Sequence, residues 1–201
     1  MTEDETQTDA SRPVRMLDAS ALKALAHPLR VQIYDILSQY GAQTASTLAE
    51  MTGESSGATS YHLRALAKHD LIREVGDRGT ARERWWERPR GGISFTNPDA
   101  MKTPSGKAST QVVMTEFLNR RHHQLMSYLT STILAPEAQN EDEAAISTAT
   151  ARMTIEQTAQ LIADVQAVID AAVDKYRDQT GDGVRPISIR ADIFPLPEEG
   201  H

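Results

Sequence analysis

The chain contains no cysteine, and that absence removes two kinds of chemistry at once. Without thiols there are neither disulfides nor thiolate ligands for a metal ion. The chain also has no run of 18 apolar residues, so we expect no membrane partner. Its first 15 residues are polar and acidic, unlike a secretory signal, and a cytoplasmic location is therefore expected.

Sequence signatures of the common enzyme classes are also missing. No G-x-S-x-G, no phosphate-binding loop and no G-x-G-x-x-G is present, and the glycines of "GDRGTARERWW" lack the strand-to-helix context that a phosphate loop requires. The adjacent His122 and His123 point about 100° apart on a helix and cannot easily share one metal ion. We expect no catalytic residues, no cofactor and no metal.

The charge is unevenly distributed along the chain, whose formal net charge is −7. Residues 19–95 carry 10 basic and 8 acidic side chains, whereas residues 136–201 carry 5 and 13. Five of the arginines lie in one short stretch, Gly76 to Arg90, "GDRGTARERWWERPR". A polyanion is therefore expected to dock on the first region and to be repelled by the last.

The periodicity of apolar residues predicts the order of elements. Residues 1–17 lack an apolar period and are expected to form a disordered tail. From Asp18 onward, helical spacing predicts two helices, a short third helix with Thr44 as N-cap and Gly53 at its end, and a fourth helix capped by Ser55 or Ser56. "LIREV" and "RERWWE" then flank a turn-rich segment, which predicts a β-hairpin.

The fourth helix has the pattern of a helix that enters a major groove. Thr59, Leu63 and Leu66 fall at i, i+4 and i+7 and are expected to face the core. The opposite face carries small, hydroxyl-bearing and positively charged residues, which are Ser56, Gly57, Ser60, Tyr61, Arg64 and Lys68. Small residues permit close approach to DNA, and an arginine can form bidentate hydrogen bonds with guanine or with phosphate.

Three segments together resemble the ArsR-type winged helix-turn-helix transcriptional regulators. They are "LKALAHPLRVQIYDIL", "TLAEMTG" and "SYHLRALAKHDLIREVGDRGTARERWWE", within residues 20–95. The resemblance implies a DNA-binding repressor that acts as a homodimer, with a recognition helix over 56–69 and a wing over 71–87. Many such regulators sense metals, but this chain has no cysteine and "NRRHHQL" lacks a carboxylate–histidine spacing, so metal sensing is not expected.

The hairpin has two interpretations. Alone, its arginines fit a solvated edge hairpin. Directly after a recognition-type helix, they favour contacts with the DNA backbone or minor groove. The predicted DNA-contacting residues of the wing are Arg78, Gly79, Thr80, Arg82 and Arg84. Trp85 and Trp86 are successive strand residues, so their side chains point to opposite faces of the hairpin. One is expected to cover the core, and the other to contact the partner chain or the C-terminal helices.

The C-terminal part, residues 98–201, is predicted to be a helical dimerisation region. A linker-like stretch precedes two apolar-striped helices over 109–134 and 153–178, and the alternation at 187–194 predicts a final strand. We interpret the apolar stripes of these helices as the core of a dimer interface. The alternative is that they line a pocket for a small-molecule effector. The predicted interface residues are Trp85, Trp86, Phe117, Leu125, Tyr128, Ile162, Val165, Ile169 and Tyr176.

The predicted fold class is mainly α with a small β-hairpin wing. It consists of a winged helix-turn-helix domain over 18–97 followed by the helical region. The predicted function is a homodimeric repressor that binds double-stranded DNA at an inverted repeat. The rival is a winged-helix module that docks on protein without specific DNA binding, and salt-dependent binding to duplex DNA separates the two.

Overall fold

The computed structural model describes residues 14–80, 83–95, 97–134 and 144–197. The chain divides into two compact units, Met1–Ala138 and Gln139–His201. This division lies later than the boundary predicted after residue 97, because the first long C-terminal helix packs on the helices of the N-terminal unit.

The secondary structure follows the predicted order of helices and hairpin. The helices of the first unit are α1 (Ala19–Leu25), α2 (Pro28–Tyr40), α3 (Ala45–Thr52), α4 (Ser56–Ala67), a short 3-10 helix (Ala100–Lys102) and α5 (Pro104–Leu134). Its strands are β1 (Val14–Met16), β2 (Gln43–Thr44), β3 (Arg73–Thr80), β4 (Glu83–Glu87) and β5 (Gly92–Ser94). The second unit contains α6 (Ile155–Tyr176).

The helix ends show why these residues form helices. The Thr44 side chain accepts from the Thr47 amide in a reciprocal capping box that starts α3, and Gly53 ends that helix at φ 74. Ser55, rather than Ser56, caps α4, and its hydroxyl accepts from the Ala58 amide at 3.1 Å. The predicted Thr44 cap and Gly53 stop are thus confirmed.

The predicted hairpin is confirmed as the antiparallel pair β3–β4, with Arg73 opposite Glu87 and Thr80 opposite Glu83. β2 extends the hairpin into a three-stranded sheet of order β2-β4-β3. The register between β3 and β4 shifts between Glu74 and Gly79. This irregularity increases the local twist of the wing.

A second, two-stranded sheet was not predicted. β1 pairs in parallel with β5, Val14 opposite Gly92 and Met16 opposite Ser94. The expectation of a disordered tail over 1–17 is therefore wrong for Val14 to Met16, while residues 1–13 lie outside the described residues. A strand of this length is ordered by pairing with a distant segment, and the apolar period of its own sequence does not reveal that pairing.

The start of α5 also differs from the sequence-based expectation. The stretch predicted as a linker is instead the 3-10 helix and the first turn of α5, which begins at Pro104 rather than near residue 109. Gly106 permits this packing, because a Cβ there would lie 2.0 Å from the Ala100 carbonyl oxygen. Proline at the first helical position is common, since it has no amide hydrogen to leave unpaired.

One hydrophobic core joins α1, α2, α3, α4 and the first half of α5. The side chains of Leu22, Ile33 and Leu63 are completely buried, and so is Val113 of α5. α5 is further attached to α2 by an ion pair between Arg120 Nε and Asp35 Oδ2 at 3.1 Å and by a hydrogen bond from Gln124 to Gln39. The winged domain is thus completed by the N-terminal half of α5.

The second unit is built around one amphipathic helix. Thr154 and Gln157 form a reciprocal capping box at the start of α6, within the helix predicted over 153–178. None of the α6 side chains is buried. Residues 184–197 belong to no helix or strand, so the strand predicted at 187–194 does not form within the single chain. A strand needs a hydrogen-bonded neighbour, and the described residues of this unit contain no other strand.

Across the described ranges, no helix combines the length and the apolar character required to cross a membrane.

Candidate nucleic-acid interface

The inner face of α4 anchors the helix in the core. Thr59, Leu63 and Leu66 have no exposed surface, as their i, i+4, i+7 spacing predicted. The Thr59 hydroxyl donates to the Ser55 carbonyl at 2.9 Å, which satisfies the one polar group on this face. Burial of these three side chains fixes the direction in which the opposite face points.

The opposite face of α4 is directed to solvent. Five of its six predicted DNA contacts are exposed and Ser60 is half-buried; the exposed ones are Ser56, Gly57, Tyr61, Arg64 and Lys68. The Tyr61 side chain is 63% exposed although it is aromatic. A Cβ added at Gly57 would meet only the Ser55 hydroxyl oxygen at 4.0 Å, so packing within the chain does not require a glycine there.

The turn after α4 is held by a residue that the sequence analysis missed. Arg15 of β1 donates to the carbonyl oxygens of Asp70 at 2.7 Å and His69 at 2.9 Å. Both carbonyls belong to the turn that follows α4, so Arg15 fixes this turn and brings a cation close to the negative end of the helix dipole. Asp70 turns the chain at φ 53, which directs it into the wing.

The two tryptophans of β4 face opposite sides of the sheet, as predicted. Trp86 is 8% exposed and belongs to the core, so its assignment as an interface residue is wrong. Trp85 is half-buried on the other side, and the Arg78 guanidinium lies 3.7 Å from its ring centroid. Trp85 thereby holds Arg78 against the sheet by a cation–π contact.

Two other arginines of the hairpin form ion pairs with carboxylates inside it. Arg84 is 3.3 Å from a carboxylate oxygen of Glu74, and Arg73 is 2.7 Å from Glu87. Gly79 and Thr80 lie at the end of β3, opposite Arg84 and Glu83. Arg82 lies outside the described residues. Arg84 is therefore less available to a phosphate than its sequence position suggests.

A histidine pair joins α2 to α4. The rings of His27 and His62 are 4.6 Å apart between centroids, and the Arg30 amide donates to the His27 carbonyl at 2.9 Å. His27 caps α2, because its Nδ1 accepts from the Leu29 amide at 3.2 Å. Burial lowers the pKa of His62 below its usual value, and the nearby His27 and Arg30 lower it further. His62 is half-buried.

The remaining predicted interface residues fall into two groups. Phe117 packs within the first unit, 4.9 Å from Phe95 and 6.3 Å from Tyr34 between ring centroids, so it contributes to the intrachain core. The others are exposed or half-buried: Leu125, Tyr128, Ile162, Val165, Ile169 and Tyr176.

Comparison with known families defines the class of this domain. Residues 25–75 match the helix-turn-helix domain family, a range that covers α2, α3 and α4. Together with the β3–β4 hairpin, this part of the chain is a winged helix-turn-helix.

Among the solved structures that are similar to this chain are two that cover more than half of it. A possible transcriptional regulator for arsenical resistance has 24% identity and a TM-score of 0.31, over 54% of this chain and 94% of that chain. A MepR-like protein complexed with pseudoligands has 20% identity and a TM-score of 0.31, over 76% of this chain and 82% of that chain. Comparison with curated proteins gives no match.

Proposed function

We propose that this protein is a DNA-binding transcriptional regulator whose α4 enters the major groove. The observation that carries this proposal is the two-sided character of α4. Thr59, Leu63 and Leu66 attach one face to the core, and the other face presents hydroxyl, phenol and cationic groups to solvent. A rigidly attached helix with small residues at its N-terminal end suits groove insertion.

Each exposed group of α4 has a distinct chemical role in this proposal. Arg64 offers a planar fork for guanine O6 and N7, and Ser60 offers a hydroxyl for a base edge. Lys68, one turn further on, offers a charge for the backbone phosphates. Gly57 exposes the backbone at the start of the helix, which permits close approach. Its helix-propensity cost of about 1 kcal/mol has no compensating contact inside the chain.

The proposed active form is a homodimer. α6 carries an apolar stripe of Thr158, Ile162, Val165, Ile169, Ala172 and Tyr176. None of the side chains of this helix is buried in the single chain, and an amphipathic helix of this length requires a partner surface. The simplest partner is the same helix of a second copy around a two-fold axis. Two recognition helices about 34–36 Å apart would then read an inverted repeat.

We further propose that the protein acts in the cytoplasm as a repressor. Repressor activity is favoured by the resemblance of residues 20–95 to ArsR-type regulators, and α4 and the wing are used for binding rather than for catalysis. The acidic residues of 136–201 suit a surface held away from DNA.

A second candidate function is docking on a protein. The observation in its favour is that Arg73 and Arg84 are paired with Glu87 and Glu74, which removes positive charge from the wing surface. Titration with a random-sequence duplex of roughly 30 bp, about three helical turns, distinguishes the two. DNA binding requires that log K falls linearly with log salt concentration. Absence of binding at low salt would favour protein docking.

Substitution of Arg64 is expected to remove base recognition. Arg64→Ala should cost about 1–3 kcal/mol at the best site selected from a random duplex library and should relax base preference at one position. Repeating the selection with the variant measures both effects. The matched control is Lys107→Ala, since Lys107 is an exposed cation at the start of α5. If both variants bind alike, α4 is not the helix that reads the sequence.

The wing is expected to contribute affinity without sequence preference. Replacing Arg78 and Arg82 by alanine should weaken binding to all duplexes equally and reduce the salt slope by about one unit per lost phosphate contact. Arg84→Ala should have a smaller effect because Glu74 already neutralises this side chain. If the double variant and the parent have equal salt slopes, the hairpin does not contact DNA and its arginines only keep an edge strand solvated.

A further inference from the structure

Arg30 lies where α2 meets α4 and has an unsatisfied side chain. It is half-buried in the first turn of α2, its Nε atom is buried, and this atom has no hydrogen-bond partner. Burial lowers the pKa of Arg30. No carboxylate in the described parts of the chain forms an ion pair with it.

Two histidines lie near this arginine, since the Arg30 amide donates to the His27 carbonyl at 2.9 Å and the His27 ring contacts that of His62. His62 Nδ1 is also buried without a hydrogen-bond partner, and its ring lies 4.6 Å from His27 and 5.2 Å from Tyr61 between centroids. We call Arg30, His27 and His62 the α2–α4 cationic cluster. Glu54, in the turn before α4, is the carboxylate whose charge acts on His62.

The cluster has the chemistry of a site that lacks its anion. A half-buried guanidinium without a partner is costly, and the cost is relieved by a charged acceptor. Phosphate oxygens form strong charge-assisted hydrogen bonds with arginine. The buried Nε leaves the terminal nitrogens of Arg30 as the donors that an anion can reach.

The position of the cluster identifies the source of that anion. The His62 ring lies 5.2 Å from the ring of Tyr61, which is 63% exposed on the proposed DNA-facing side of α4. We propose that Arg30 and His62 bind a backbone phosphate at the edge of the groove that α4 occupies. This inference rests on the proposed function and adds a phosphate contact outside the recognition helix and the wing.

The histidine makes this contact sensitive to pH. In the free protein, burial and the neighbouring His27 and Arg30 lower the pKa of His62, while Glu54 acts in the opposite direction. A bound phosphate favours the charged imidazole and raises its pKa in the complex. The extra affinity is then fully present below the pKa of free His62 and is lost as pH rises through the pKa in the complex.

Two substitutions in the full chain test the contact. Arg30→Met is compared with Lys107→Met, which removes the same charge from an exposed position in α5, and both are titrated with the random-sequence duplex. Arg30→Met should lower affinity about tenfold and reduce the salt slope by about one unit. It should also raise the Tm of the free protein by about 2–4 °C, because an unpaired charge is replaced by an apolar side chain. Lys107→Met should produce neither result.

A gain in stability together with a loss of affinity supports the phosphate contact, since a purely structural arginine would lose stability when replaced. If the parent binds duplex and Arg30→Met has the parental salt slope, this inference fails while the proposed function stands. If the parent binds no duplex, the proposed function fails as well. Protection of the parent against heat by inorganic phosphate, but not by duplex, would assign the site to a free anion and overturn the inference.

His62→Gln tests the pH dependence. The parent is expected to bind duplex more weakly as pH rises from below the lowered pKa of free His62 to above its pKa in the complex, with uptake of up to about one proton per protomer on binding. The glutamine variant should have a flatter profile. Identical profiles for parent and variant would show that His62 does not face the phosphate.

Discussion

A chain that ends at residue 138 is expected to lose about 100-fold or more of the affinity of the full chain for its best selected duplex. The cut follows the boundary between the two compact units, so the whole core of the first unit, including Val113, is retained. The expected loss has a simple cause. Without α6 the two half-site contacts are no longer linked, and the second contact loses its high effective concentration.

Sedimentation velocity and a binding titration of the 1–138 fragment measure this result, and a thermal melt confirms that the fragment is folded. The structure makes this cut preferable to one after residue 97, which would remove Val113 from the core and expose the side of α1 that packs on α5. A 1–138 fragment that is dimeric and binds with parental affinity would place the dimer contact in the first unit, with α5 as the remaining candidate.

A pair of substitutions in the full chain separates dimerisation from loss of chain length. Ile169→Asp introduces a charge on the apolar stripe of α6, whereas Ala167→Asp introduces the same charge on its exposed opposite side. Both change the net charge and the helix propensity in the same direction. Only Ile169→Asp should give a monomer with the affinity of the 1–138 fragment. Equal behaviour of the two variants would exclude the stripe as the interface.

Trp86→Ala is expected to destabilise the first unit by about 3–5 kcal/mol. Trp86 is 8% exposed and belongs to the core cluster, so its removal leaves a cavity beneath the wing that cannot collapse fully. Its neighbour provides the control. Trp85→Ala should cost only about 1 kcal/mol, because the lost contact is a half-buried stack with Arg78. Chemical denaturation of both variants measures the difference.

The same two variants are also expected to differ in their affinity for DNA. Loss of Trp85 releases Arg78 from the sheet, so Trp85→Ala should weaken binding to random duplex more than its small effect on folding would suggest. Trp86→Ala acts through stability and should bind as the parent does under conditions where it is folded. Equal losses of stability in the two variants would contradict the opposite directions of these side chains.

The elements that the sequence predicted well are those whose causes are local. The spacing of Thr59, Leu63 and Leu66 places all three on one side of a helix whatever the helix packs against. Thr44 and Gly53 act through hydrogen bonds and backbone angles within a few residues of themselves. Successive strand residues must diverge, so the opposite directions of Trp85 and Trp86 also followed from the sequence.

The elements that were missed depend on contacts between distant segments. Val14 to Met16 form a strand because Gly92 to Ser94 lie beside them, and this pairing places Arg15 against the turn that follows α4. The early start of α5 depends on the absence of a side chain at Gly106, where the Ala100 carbonyl approaches. Composition made this stretch look like a linker, because proline and glycine are equally common in both settings.

The sequence by itself determined the helix order, the wing and the two faces of α4, because helical and strand periods are properties of neighbouring residues. The tertiary structure decided which tryptophan is buried, which wing arginines are neutralised and which residues lie near Arg30. Those outcomes depend on residues far apart in the chain, such as His27 and His62, whose 4.6 Å separation results from the packing of α2 on α4. Periodicity specifies the direction of a side chain on its own element, whereas packing alone selects its neighbour.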